Sequence, residues 1–210
     1  MTKDEFKPVV KEQEFTERRN ELNILNDKIR LLELIIDRYR STIEQSETKT
    51  IADIKALINP NDETVKKIAS DLTSEFKPYI YNQDFIAASQ KAHEYVRQVR
   101  TVKAPIDFWL MSKDVVKLRA GDPMDKAILL CSIIMALDNS DCYVIVGVND
   151  GTKVVVAFKY NDEWHLMDPI SNGTIKGKKE DIIEQWLGDE DNIYEFNNMH
   201  YNQLKEREIE

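Results

Sequence analysis

Arg119-Ala-Gly-Asp-Pro-Met-Asp-Lys-Ala-Ile-Leu-Leu-Cys-Ser-Ile-Ile-Met-Ala-Leu137 is the stretch on which the reading of this chain turns. Its opening residues start a helix. Asp122 is an N-cap whose carboxylate accepts from first-turn N–H groups. Pro123 suits the first helical position, where an N–H is dispensable, and Asp125 adds negative charge at the positive end of the dipole. From Ala127 onward the run is almost wholly apolar, so the helix is expected to be buried. Two segments after it read as strands: Cys142-Tyr-Val-Ile-Val-Gly147 and Lys153-Val-Val-Val-Ala-Phe-Lys-Tyr160, rich in β-branched and aromatic residues, with Asn149-Asp-Gly151 as the turn between them. A third, Glu163-Trp-His-Leu-Met-Asp168, follows an Asn161-Asp162 turn and closes an antiparallel meander.

Upstream, Phe85, Ile86, Ala88, Ala92, Tyr95, Val96 and Val99 mark another helix, leading to Pro105, Phe108 and Trp109. Residues 51–82 carry Ile51, Ile54, Leu57 and Ile58, a stop at Asn59-Pro60, and Asp62 as an N-cap for Glu63 to Phe76; they read as a helical linker. Residues 1–50 are different again. Leu22, Leu25, Ile29, Leu32, Ile36 and Tyr39, with Phe15 before and Ile43 after, follow the alternating three-and-four spacing of a coiled-coil seam. Ile24, Leu31, Leu34 and Ile35 broaden the stripe, so the helix either self-associates or folds back on its own domain. Self-association is the expectation. The domain plan is thus a coiled-coil helix over 1–50, a linker over 51–82 and one globular domain over 83–210.

Of the 210 residues, 42% are hydrophobic, enough for one ordinary core plus an appendage. A formal net charge of -9 speaks against a nucleic-acid partner or an anionic membrane surface, both of which need clustered Lys and Arg. No apolar run approaches a membrane span, and Met-Thr-Lys-Asp-Glu-Phe-Lys7 lacks a signal peptide's apolar stretch, so the expected location is the cytoplasm. Cys131 and Cys142 have neither metal-ligand spacing nor partners for a disulfide framework, and read as reduced thiols; no metal or cofactor is called for.

Gly121, Asp122, Asp125, Ala127, Leu129, Leu130, Trp164, Asp168 and Pro169 stand in the order and at the spacing seen in the transglutaminase-like (papain-like cysteine protease) superfamily, and Phe108-Trp109 resembles that family's Tyr-Trp segment. The resemblance covers about Gln83 to Pro169. It implies an α+β fold, a central helix packed on an antiparallel sheet. In active members a Cys opens the central helix, a His lies on a following strand and an Asp on the next. There the helix N-terminus lowers the thiol pKa, the His takes its proton and the Asp fixes the imidazole tautomer. This chain has Pro123 at the Cys position and Val154 or Val155, taken here as Val155, at the His position; Asp168 alone remains. Leu129-Leu130-Cys131, Gly147, Asp168-Pro169-Ile170-Ser171 and Asp191-Asn192-Ile193-Tyr194 are similar to the inactive transglutaminase-like domains of centrosomal and ciliary scaffold proteins.

The resemblance therefore implies a pseudoenzyme: a module that binds a peptide or protein partner in a vestigial cleft lined by Trp109, Asp122, Met124, Asp125, Trp164 and Asp168, with the N-terminal helix joining copies or partners. Each of these residues also has an ordinary structural reading, the two N-terminal carboxylates as caps and the tryptophans as core. The competing expectation is a thiol hydrolase or acyl transferase with a relocated nucleophile, Cys142 working with His165.

Overall fold

A computed structural model describes residues 7–46, 50–103, 108–149 and 151–206. The chain divides into two units, one built on the N-terminal helix and one holding the rest. The first is α1 (Lys7–Ser46), 40 residues of unbroken helix, about 60 Å long at 1.5 Å per residue. Its seam residues Leu22, Leu25, Ile29, Leu32 and Tyr39 are all exposed, with Leu22 at 59%, and Ile36 is half-buried.

The second unit begins with α2 (Ile51–Leu57) and α3 (Glu63–Thr73), followed by α4 (Tyr81–Arg97), β1 (Arg100–Thr101), α5 (Ser112–Leu118), β2 (Ala120–Gly121) and α6 (Pro123–Ala136). Then come β3 (Cys142–Val148), β4 (Thr152–Tyr160), β5 (Glu163–Met167), β6 (Thr174–Gly177), α7 (Lys179–Leu187), β7 (Asn192–Phe196) and β8 (Tyr201–Lys205). This is the expected α+β architecture, and its centre is α6, where every residue from Lys126 to Ile134 is buried. Helices α3, α4 and α5 pack on one side of it and strands β3 and β4 on the other.

Six strands form the main sheet in the order β6-β5-β4-β3-β7-β8, every neighbouring pair antiparallel. The meander β3-β4-β5 is as the sequence suggests. Its second turn is a two-residue hairpin with Asn161 and Asp162 both at positive φ, 49° and 62°, the pairing that suits the twist of the flanking strands. Side-chain alternation gives the sheet two apolar faces. Val144, Val146, Val154, Val156, Phe158 and Met167 join the α6 core, while Ile145, Val155, Ala157 and Leu166 pack under Ile182, Ile183 and Leu187 of α7.

The structure corrects the division of the chain: residues 51–82 are not a linker. Ile58, Val65, Ile68 and Ala69 are buried in the same core as α6, and the Asn59 N–H donates to Ser132 Oγ on α6 at 3.1 Å. Capping is as read from the sequence, with Asp62 accepting from the Thr64 and Val65 N–H groups. Among the described residues no helix is long and apolar enough to cross a membrane.

Candidate functional site

The start of α6 is built by a closed set of local hydrogen bonds. Asp122 Oδ1 accepts the Asp125 N–H at 2.8 Å, and Asp125 Oδ2 accepts the Asp122 N–H at 3.0 Å, a reciprocal capping box. The other oxygen of Asp125 accepts the Leu110 N–H at 3.1 Å, beside Trp109. Gly121 permits this closeness, since a Cβ there would stand 3.0 Å from that of Asp125. Asp125 is only 3% exposed. Burial pushes its carboxyl up to about 6, against the opposing pull of the Asp122 and Leu110 N–H donors. Pro123 takes the first helical position, and Met124 and Trp109 pack half-buried against the core. Trp109, Asp122, Met124 and Asp125 are therefore neighbours, but Asp125 is spent on the helix and has no surface to offer a ligand.

Trp164 does not belong with them. Its ring faces the α7 side of the sheet, 6.0 Å from Tyr143 and with Lys179 Nζ 4.5 Å over its centroid. The strand alternation that sends Trp164 there brings His165 to the α6 side, stacked on Phe158 at 5.1 Å. Val155 is likewise on the α7 face, so of the two valines considered for the imidazole position it is Val154 that shares the face of α6.

Asp168 lies just past β5, and its carboxylate is engaged in its own turn, accepting from the Ile170 N–H at 2.8 Å and Ser171 Oγ at 2.6 Å. Around it the fold gathers charged and polar groups that sequence reasoning missed. His93 of α4 places Nε2 2.6 Å from the Asp168 main-chain oxygen. Lys126 of α6, fully buried, donates through Nζ to the Val99 carbonyl at 2.9 Å and to Thr101 Oγ1 at 3.1 Å. Burial holds the Lys126 ammonium below its usual pKa, opposed by the charge of Asp168 and reinforced by that of Arg97. The signals were present: His93 sits inside the apolar stripe of α4, and Lys126 opens the apolar run of α6.

The relocated pair fares differently. Cys142 and Cys131 are both fully buried, and burial, then Cys131, pushes the Cys142 thiol well up, the opposite of an activated nucleophile. In register, Phe158 stands between Cys142 and His165. His165 lines a cleft of about 470 Å³ between α4 and the β6 edge, with Ile86, Gln90, Tyr160, Thr174 and Lys176 among its walls. Burial lowers the His165 pKa, Glu163 opposing and Lys176 assisting. None of the six cleft residues expected from sequence lines this opening.

No family model and no curated protein matches the sequence. Solved structures to which the chain is similar include calcium-bound LapG of Legionella pneumophila, with 17% identity over 69% of this chain and 90% of that one and a TM-score of 0.47. A Cytophaga hutchinsonii protein provisionally assigned as a cysteine protease is similar at 18% identity, covering 78% of this chain and 61% of that one, with a TM-score of 0.37.

Proposed function

We propose that this chain is a catalytically dead transglutaminase-like protein of a reducing compartment, which binds an extended peptide or protein segment and associates through α1. The observation that carries this reading is Pro123 at the first position of α6. A nucleophile there would have the helix dipole behind it, but proline has no group to offer, and the Asp122 and Asp125 N–H groups are each answered by the other's carboxylate. On the face of the sheet that meets α6, Val154 and Val156 present alkyl groups, which can take no proton. Binding does not depend on the thiol. The cleft beside His165 runs along β6, an outer strand whose free edge can add a peptide strand, with side chains entering the cleft.

A phage-displayed random-peptide library panned on the full chain tests this. Enrichment of extended peptides is expected, and its loss when Thr174→Arg closes the mouth of the cleft. No enrichment on the unmodified protein, or hydrolysis of the selected peptides by it, would reject the reading.

A further inference from the structure

The exposed stripe of α1 specifies its own partner. The seam positions differ in kind: heptad position a holds Phe15, Leu22, Ile29, Ile36 and Ile43, the last three β-branched, and position d holds Leu25, Leu32 and Tyr39, the first two Leu. β-Branched residues at a and Leu at d are the combination that packs best as two parallel strands, because knob geometry differs between the two layers. From this pattern we infer that α1 forms a parallel, in-register, two-stranded coiled coil with a second copy of this chain. The inference rests on the association role proposed above and adds the partner, number and direction to it.

The charges flanking the seam choose the same direction. In a parallel pair a g residue faces the next e residue of the other helix, which sets Lys28 against Glu33 of the second copy, twice per dimer. An antiparallel pair that keeps the seam layered, Leu22 opposite Tyr39 and Ile29 opposite Leu32, instead sets Arg19 against Arg40, again twice, and places no opposite charges together at these flanking positions. Leu25, Leu32 and Tyr39 are 52%, 58% and 54% exposed, and Leu22 and Ile29 with them, while Ile36 and Ile43 are half-buried, so most of the surface that would close the dimer is accessible. Ile24, Leu31 and Leu34 lie off the seam, and a two-stranded coil leaves them outside it.

Sedimentation equilibrium and site-directed crosslinking of the full chain test the inference. Cys131 and Cys142 are buried, so the native thiols do not interfere. The expected mass is 2 × 24.5 = 49 kDa. With a short bifunctional maleimide, Leu22→Cys chains should crosslink to each other, as should Tyr39→Cys chains. A mixture of the two should give no hetero-crosslink, because in a parallel pair those positions are about 25 Å apart. Lys28→Glu should weaken association about tenfold, and Glu33→Lys in the same chain should restore it. A dimer that crosslinks only in the mixture overturns the parallel direction, and a trimer or tetramer overturns the strand number; both leave the association role standing. A protein that stays monomeric at high micromolar concentration overturns the inference and that role together.

Discussion

His93 Nε2 stands 2.6 Å from the main-chain oxygen of Asp168, tying the last turns of α4 to the end of β5. A carbonyl oxygen only accepts, so Nε2 is the protonated nitrogen of this ring. The histidine is 6% exposed and water does not readily replace it. His93→Ala should therefore cost about 1–3 kcal/mol, the penalty for a buried acceptor left without a donor, while His93→Gln, which keeps an N–H near that height, should lose less. Urea unfolding of the two variants checks this, and equal losses would mean that packing, not the hydrogen bond, is what His93 supplies.

Lys126 gives a pH dependence of defined sign. Burial disfavours its ammonium, so its folded pKa lies below the unfolded value of about 10.4. As pH rises through the folded value toward 10.4, the unfolded chain holds the proton longer than the native one, and stability from this group increases. Lys126→Met lacks that gain. The stability of the wild type relative to the methionine variant should grow over this alkaline window. The half-buried Tyr79 hydroxyl, pushed up mainly by the burial it has, acts in the opposite sense in both proteins and cancels from the difference. A flat difference would place the Lys126 amine in contact with water.

Asp125 acts at the other end of the scale. Its carboxyl is raised to about 6 from the ordinary value of 3.8, so protonation is easier in the native state, and the stability it contributes is present below about 4 and lost as pH rises through about 6. Both oxygens accept backbone N–H groups, whereas an amide keeps one acceptor and turns an NH₂ toward the other donor. Asp125→Asn should cost about 1–3 kcal/mol at pH 7. The gap to wild type should widen between pH 7 and 4, because only the carboxyl gains from acid. Thermal melts across that range decide it, and a gap that narrows would show the carboxyl to be favoured in its charged form.

How much was legible from the chain follows how local each signal is. The capping box and apolar run of α6 lie within a few residues of one another, and the β3-β4-β5 meander is set by β-branched runs and the turn at Asn161-Asp162, so both stood out. Strand β7 was not, because its place beside β3 depends on pairing Phe196 with Val144, across α7 and the rest of the sheet. Helix α5 has seven residues, too few for a periodic stripe to show. Residues 51–82 read as a linker because the element their apolar side chains pack on, α6, is distant in sequence, as in the bond from Asn59 to Ser132. At the site, what the sequence leaves open is phase. A strand shows its two faces in alternation, and Val154-Val-Val156 contains no polar residue to mark which is which, so the sequence does not tell that Val154 faces α6 and Val155 faces α7. The same ambiguity put Trp164 in the cleft when the residue turned toward α6 is His165.

Pro123→Cys keeps the Asp122 cap and sets a thiol in the first turn, where the positive end of the helix lowers its pKa and the neighbouring carboxylates oppose that effect. Iodoacetamide at neutral pH should modify this thiol at least tenfold faster than Cys131 or Cys142, which are sealed in the core of the native protein. Turnover of acyl or amide substrates should stay absent, since the alkyl group of Val154 takes no proton from the thiol or returns one to a leaving group. Adding Val154→His supplies an imidazole on the face of the sheet that meets α6. Asp168 is still committed to Ile170 and Ser171 and cannot orient it, so the double variant should gain little. Ser171→Ala removes one of those two claims on the carboxylate, and the triple variant is where activity should first appear. Turnover by Pro123→Cys alone would mean that a base other than Val154's replacement, such as His93 or His165, already serves the start of α6.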